Sequence, residues 1–441
     1  MKTPICDFVK KYAASGAIRA HMPGHKGVSR LGVEALDITE IVGADSLYEA
    51  SGIIKESEEN ASSLFGAHTL YSTEGSSLSI RAIAAILARY AADTSKSKRI
   101  LAARNAHKSF VYGAALSDIE VEWLYGDSYL SCSIDLGLLV ERIRETSPVA
   151  VYITSPDYLG RVADLRAIAD VCHAEGALLV VDNAHGAYLK FLEPSRHPID
   201  HGADIVCDSA HKTLPVITGG AYLHISRNAP SELLSYARSS MELFGSTSPS
   251  YLILESLDLC NRELSSGYAE LIADFAKIME KYRAKLRTGG YFLISEEPFK
   301  ITIDAKKYGY LGTELADLLE KAGIFVEFAD PDYLVLMLTP DSGEDTLCTV
   351  TEALLAIEKR KEIKATPPKP TPLSRAMSHR EALFSAHECI PVSNSVGRIL
   401  ASASVGCPPA VPIAVSGEQI DENTAEAFAY YGIESIIVVK Q

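Results

Sequence analysis

Two short runs place reactive side chains directly after stretches of branched apolar residues. Leu178-Leu179-Val180-Val181 ends in Asp182-Asn183-Ala184-His185-Gly186, and Ile205-Val206-Cys207 ends in Asp208-Ser209-Ala210-His211-Lys212. Upstream, a candidate strand over residues 68–72 runs into Glu74-Gly75-Ser76-Ser77 and the start of a helical pattern. In an open sheet covered by helices, ligands bind outside the carboxyl ends of the strands. A Gly-Ser turn that opens a helix offers backbone N–H groups and hydroxyls at a positive helix end, a natural phosphate cradle. An acid, a lysine and such a cradle along one sheet edge suit pyridoxal phosphate. The lysine forms the Schiff base, and the acid keeps the pyridine nitrogen protonated so that the ring accepts electrons. Each feature alone also has an ordinary reading. Loop lysines are commonly solvated, strand-end acids cap helices, and Gly-Ser turns abound.

The surrounding elements must bring these residues together. From residue 99 to about 225, β-rich runs alternate with helical patterns, the strand candidates being 99–103, 121–124, 149–154, 177–181, 204–207 and 221–225. Between two of them, Leu165, Ile168, Ala169 and Cys172 follow helical spacing. Ile83, Ile86, Leu87 and Tyr90 make a helical stripe that begins just after the Gly75 turn. Strands alternating with helices predict an α/β domain with a parallel or mostly parallel sheet. The first sixty residues carry little periodicity and read as an arm over 1–60, followed by a cofactor-binding domain over 61–270. A long amphipathic pattern near 269–286 leads into a smaller α+β unit over 271–365. Thr366-Pro367-Pro368-Lys369-Pro370-Thr371-Pro372 can continue neither helix nor central strand, so residues 373–441 form an appended subdomain.

Composition excludes several classes. Of 441 residues, 47% are apolar and 22% charged, the balance of a globular enzyme with a large core rather than of a disordered chain. The 42 basic and 57 acidic residues give a net charge of −15, which disfavours nucleic-acid binding. No apolar run has the length of a membrane span, and Met1-Lys2-Thr3-Pro4 does not open a signal peptide. The eight cysteines, at 6, 132, 172, 207, 260, 348, 389 and 407, form no CxxC pair. That spacing predicts reduced, mostly buried thiols in a cytoplasm.

The local wording carries more than the pattern. Ser209-Ala210-His211-Lys212-Thr213-Leu214-Pro215 and Asp182-Asn183-Ala184-His185-Gly186 closely resemble the fold-type I ornithine/lysine/arginine decarboxylases. His21-Met22-Pro23-Gly24-His25-Lys26-Gly27, Arg104-Asn105-Ala106-His107-Lys108-Ser109 and Ser246-Thr247-Ser248-Pro249-Ser250-Tyr251 agree, in the family's order. Gly397-Arg398-Ile399 with Pro408-Pro409 and Pro412 is similar to the family's C-terminal domain. The resemblance spans nearly the whole chain and is to compact members without an N-terminal wing domain. It implies an aspartate aminotransferase-like large domain with smaller α+β C-terminal domains. It further implies a pyridoxal 5'-phosphate aldimine on Lys212, Asp182 at the pyridine nitrogen, and His107 stacked on the ring. Ser76, Ser77, Ser209 and His211 would hold the phosphate, and His185 would sit near the ring hydroxyl or the substrate carboxylate. Thr247 and Ser248 would reach the phosphate of a partner subunit in a homodimer or higher oligomer. His21 and His25 have helical spacing for a metal, but Pro23-Gly24 breaks that geometry and predicts a turn near the active-site mouth, with no metal.

The reaction implied is decarboxylation of a small basic amino acid, arginine ahead of lysine or ornithine, to its amine and carbon dioxide. The same fold also hosts aminotransferases, aldolases and lyases, and a cofactor-binding protein without turnover is a further alternative. Three departures from the family pattern bear on efficiency or substrate choice. Glu74 replaces an asparagine, Gly219-Gly220 replaces a Thr-Gln-like pair, and Asp157 replaces a neutral residue.

Overall fold

The computed structural model describes residues 1–126, 133–407 and 411–441. Its centre is a seven-stranded sheet of β1 (His68–Ser72), β2 (Arg99–Ala103), β3 (Glu120–Leu124), β4 (Ala150–Thr154), β5 (Leu178–Asp182), β6 (Ile205–Asp208) and β7 (Ala221–Ile225), in the order β1-β7-β6-β5-β4-β2-β3. β7 runs antiparallel to both of its neighbours, and every other pairing is parallel. The carboxyl ends of β1, β2, β4, β5 and β6 therefore share one edge, and β7 begins there.

β4, β5 and β6 are buried on both faces, as their apolar runs require. Leu78, Ile83, Ile86 and Leu87 of the helix Gly75–Asp93 cover one face with Tyr152, Val180 and Leu223. Leu139, Ile143, Leu165, Ile168 and Cys172 cover the other with Val151, Leu179 and Val206. Strand bounds differ from the sequence reading by a residue. β5 and β6 extend to take in Asp182 and Asp208, so both acids stand on the sheet rather than after it.

The arm is more ordered than its sequence pattern. Pro4–Ala14 is a helix started by its proline, and Ile5, Cys6 and Val9 are buried beside the helix Tyr251–Glu263. Its first N–H groups, on Ile5 and Cys6, donate to Asp258 Oδ2 at 3.0 and 3.1 Å. That cap lies about 250 residues away in sequence, so local pattern could not disclose it.

The helix Ala269–Thr288 leads to a three-stranded antiparallel sheet of β8 (Lys300–Asp304), β9 (Phe328–Ala329) and β10 (Tyr333–Met337), in the order β8-β10-β9. Ahead of β8, Leu293 makes an isolated bridge to Ile303. The final unit carries β11 (His387–Pro391), β12 (Ser404–Cys407), β13 (Val411–Val415) and β14 (Ser435–Val439) in two small antiparallel pairs. Pro408-Pro409, part of the C-terminal resemblance, lies outside the described residues.

This last unit is fastened to the central sheet. Arg104, just after β2, donates to both carboxylate oxygens of Glu418 at 2.7 Å, and both side chains are 4% exposed. The guanidinium lies 5.1 Å from the ring centres of Trp123 and Tyr125. Four described cysteines, Cys6, Cys172, Cys207 and Cys260, are buried free thiols, and Cys389 is exposed. Cys132 and the side chain of Cys407 lie outside the described parts. No described helix is long and apolar enough to cross a membrane.

Candidate active site

A single pocket gathers side chains from five strand ends. The turn after β1 contributes Gly75, Ser76 and Ser77, and the turn after β2 contributes Asn105 and His107. The end of β4 supplies Thr154, Asp157 and Tyr158. β5 supplies Asp182 and His185, and β6 leads to Ser209, His211 and Lys212.

Lys212 sits in the one-turn helix Ala210–Thr213, and its Nζ lies 3.0 Å from Nε2 of His185. Burial lowers the lysine's pKa; Asp182 opposes this and Lys300 reinforces it. Burial, then the ammonium groups of Lys300 and Lys212, hold His185 well below the usual histidine range. A neutral imidazole therefore faces the lysine and accepts a hydrogen bond from it. The sequence reading assigned His185 to the ring hydroxyl or substrate carboxylate, whereas its observed partner is Lys212.

Asp182 ends β5 with 2% exposure. Its Oδ2 accepts from the Tyr152 hydroxyl at 3.2 Å and its Oδ1 from the Ala184 N–H at 3.2 Å. The Cys207 thiol also donates to Oδ1 at 3.6 Å, and these three donors still leave the carboxylate with capacity for a further N–H.

His107 caps the helix Lys108–Leu116, its Nδ1 accepting from the Ser109 N–H at 3.2 Å. Capping and a place in the pocket are not alternatives here, because the cap orients a ring that also lines the site. Ser109 Oγ donates to Ser77 Oγ at 3.1 Å, and Ser209 Oγ donates to Ser76 Oγ at 2.8 Å. The serines thus form paired hydroxyls at the start of the helix Gly75–Asp93. His211 Nδ1 donates to the Gly220 carbonyl at 3.0 Å, so its Nε2 holds a phosphate only when the ring is protonated.

Glu74, a concern for a phosphate site, turns away. Its Oε1 accepts from the Ser246 N–H at 2.6 Å, a backbone partner rather than the solvent or basic group its charge would suggest. Gly219-Gly220 is demanded by close packing. Gly219 has φ of +101° and its carbonyl accepts from the Gly75 N–H at 2.8 Å, while a Cβ on Gly220 would stand 2.3 Å from Val216 Cγ1.

Thr247 and Ser248 are exposed and line no part of this chain's own pocket. The turn around His21 and His25 contributes no residue to this chain's pocket lining. His25 Nε2 pairs with Asp37 at 3.0 Å, and His21 bonds the Tyr12 hydroxyl. A different cluster, buried His197, Asp208 and His224, has the composition of a metal site. Its hydrogen bonds oppose that use. His197 Nδ1 accepts the Ile199 N–H at 3.3 Å, so Nε2 carries the proton and donates to Asp208 Oδ2 at 3.0 Å. His224 Nε2 stands 3.1 Å from that same oxygen, and Asn183 donates to Oδ1 at 2.7 Å.

Among residues not singled out from sequence, Asn105 lay within a quoted motif, and Thr154 and Tyr158 had only their strand-end position as a signal. Glu327, exposed at the end of a small-domain loop, accepts from the Tyr158 hydroxyl at 2.8 Å, and no sequence pattern pointed to it.

Four buried polar atoms of the pocket residues have no partner within the protein: Asn105 Oδ1, Thr154 Oγ1, Asp157 Oδ2 and His185 Nδ1. Buried polar groups are ordinarily satisfied, so these point to a polar ligand. Pyridoxal phosphate fits the donor set, with a lysine for its aldehyde, an acid for its ring nitrogen and hydroxyls at a helix start for its phosphate. Fold and pocket together are those of the fold-type I pyridoxal-phosphate enzymes.

Comparison with known proteins narrows this class. The Orn/Lys/Arg decarboxylase major domain matches residues 3–302, and the C-terminal domain of that family matches residues 360–435. The uncharacterized protein YaaO of Bacillus subtilis is 31% identical over 97% of this chain and 93% of its own length. An arginine decarboxylase of the same organism is 27% identical over 96% of this chain and 92% of its own. The lysine decarboxylase LdcF of Francisella novicida superposes with a TM-score of 0.79 at 17% identity, covering 99% of this chain and 81% of that one. The chain belongs to the Orn/Lys/Arg decarboxylase family and is a pyridoxal-phosphate-dependent amino-acid decarboxylase.

Proposed function

We propose that this protein decarboxylates a basic amino acid, arginine in the first place, with Lys212 as the residue that carries the cofactor covalently. The observation that supports it most is the Lys212–His185 contact inside a pocket that also holds Asp182. The preference for arginine rests on the arginine decarboxylases among its relatives. When bound, the cofactor supplies an electron sink for the pair left on Cα as carbon dioxide departs.

The chain's own residues do the rest. Asp182 holds the pyridine nitrogen protonated. His107, oriented by the Ser109 N–H on its Nδ1, would offer its ring face to the cofactor. The hydroxyls of Ser76, Ser77 and Ser209 bind the phosphate; burial lowers the His211 pKa, so its Nε2 joins them only where the phosphate's charge draws a proton to the ring. Neutral His185 Nε2 accepts a hydrogen bond from Lys212 Nζ and orients it, while burial lowers the lysine's pKa and so favours its free-amine form.

The functional unit is a homodimer in which Thr247 and Ser248 reach the partner's phosphate. Two observations support this. Residues 246–248 are exposed beyond their own pocket, and the arm exposes Ile18, Met22, Leu31 and Val42, apolar side chains 94%, 67%, 86% and 102% accessible in the single chain. The free buried thiols support a reducing, cytoplasmic location.

The test of the activity is product analysis with arginine, lysine and ornithine, which distinguishes agmatine, cadaverine and putrescine. Agmatine with stoichiometric carbon dioxide is expected. Release of no carbon dioxide from any of the three would refute the reading. Borohydride should fix the cofactor on the peptide containing Lys212, and recovery on another lysine would move the assignment.

A further inference from the structure

The pocket wall next to Tyr158 carries a charge imbalance that the reaction as described does not use. Lys300 is fully buried, and its Nζ pairs with Glu297 Oε1 at 2.9 Å. The same ammonium donates to the backbone carbonyl of Asp157 at 3.2 Å, not to its carboxylate. Glu297 Oε2 is satisfied by the Tyr188 hydroxyl at 3.0 Å. Lys300 and Glu297 therefore close on each other. Asp157, 2% exposed, is left with Oδ1 accepting from the Arg161 N–H at 2.8 Å and Oδ2 buried without a partner. A buried carboxylate oxygen without a donor is costly, and the cost disappears when a cationic N–H donor arrives.

Its location suits such a donor. Lys212 contacts His185, the His185 ring packs edge-on against Tyr158 at 5.2 Å, and Asp157 is the residue before Tyr158. Asp157 and Tyr158 line the same pocket as Lys212, so this wall is open to the side chain of a substrate whose α-amino group is engaged near the lysine.

We propose that Asp157 is a specificity-determining residue that accepts an N–H of the substrate's side-chain cation through Oδ2. This rests on the basic-amino-acid reading and adds the group that selects the cation. Glu327, the other acid near Tyr158, is exposed and already accepts the Tyr158 hydroxyl, so solvent screens its charge. Burial raises the Asp157 pKa to about 6, against the attraction of Lys300 and Arg161 and with Glu297 reinforcing the rise. His185 faces the same pocket as a neutral ring. Cation binding at Asp157 should therefore weaken as pH falls from 7 to 5.

Asp157→Asn removes the charge and keeps an oxygen for the Arg161 N–H. In the holoenzyme, KM for arginine should rise about tenfold or more with kcat changed far less, whereas KM for citrulline, the uncharged counterpart, should not rise. Agmatine binding to the cofactor-free protein, measured by calorimetry, should weaken by a similar factor, a readout independent of turnover. Unchanged agmatine affinity in a folded Asp157→Asn protein would overturn the assignment. So would a loss of affinity carried by Glu327→Gln instead. Should Asp157→Asn not fold, the wild-type protein decides: agmatine affinity that does not fall between pH 7 and 5 overturns the proposal. Failure of the wild type to release carbon dioxide from any basic amino acid would strike the decarboxylase reading, while agmatine binding still reports on Asp157.

Discussion

The side chains that do the chemistry are separable by substitution. Lys212→Ala should abolish turnover and leave the melting temperature of the cofactor-free protein nearly unchanged, since it removes one side chain from a polar cleft. Asp182→Asn keeps the shape of a side chain that accepts from Tyr152 and Ala184 but cannot hold a ring proton. Its kcat should fall by about a hundredfold or more while cofactor occupancy changes little. Near-normal activity would mean that the acid only closes the turn. Asp208 tests a structural charge. Burial alone would raise its carboxyl, but His197 and His224 more than reverse this and hold it well below the usual range. A lowered carboxyl contributes stability that is complete above its unfolded pKa of about 3.9 and is lost as pH falls through the folded value. Asp208→Asn should cost about 3 kcal/mol at neutral pH and flatten the acid limb of the melting-temperature profile. Lys212 and Asp182 were legible because each follows a run of strand-forming residues. The Asp208 cluster was not, because His197 precedes β6 and His224 lies on β7, and only the folded sheet brings both to one carboxylate oxygen.

At the scale of elements, the parallel strands were readable and the turns that join them were not. Apolar runs buried on both faces identify β2, β4, β5 and β6, and the Gly-Ser turn marks the helix after β1. The Gly219-Gly220 turn read as a departure from a family pattern, whereas the structure makes it a junction between β7 and the start of the helix Gly75–Asp93. Its basis is a contact between residues far apart in sequence, the Gly75 N–H on the Gly219 carbonyl. A Cβ at Gly219 would meet the Thr73 carbonyl oxygen at 2.9 Å in a backbone conformation that L-residues rarely adopt. Gly219→Ala should therefore destabilise by about 1–3 kcal/mol and loosen cofactor retention at the same time, as read by melting and by equilibrium dialysis. Destabilisation without any change in retention would show that the turn does not support the cradle.

For the whole molecule, the last unit is part of the scaffold of the site. Arg104 is held by Glu418 and by carbonyls of Pro412 and Ile413, and the residue after it, Asn105, lines the pocket. Glu418→Gln leaves a buried guanidinium without its counter-charge, a change that costs about 3–5 kcal/mol. The melting temperature should drop, and the cofactor should dissociate more readily in the variant. Assembly is tested by mixing a Lys212→Ala chain with a Thr247→Ala, Ser248→Ala chain. Shared sites place both defects in one pocket of the heterodimer and neither in the other, so activity should reappear. A fully active monomer would remove the basis for the shared site.

The antiparallel strand next to the edge of the sheet sets a schedule. β1 has one neighbour, β7, and Thr69 of β1 meets His224 of β7 across 155 residues. A chain emerging from the ribosome has made the serines of the cradle long before it has the strand that holds them in place. At typical rates of synthesis the wait is roughly ten to thirty seconds. Lys212 is made just before β7, so the lysine and the cradle become a pair almost in the same moment. A half-made chain thus lacks the strand that borders β1 and the Ser209 hydroxyl that meets Ser76, so the pocket is completed only when the second half of the large domain has been made.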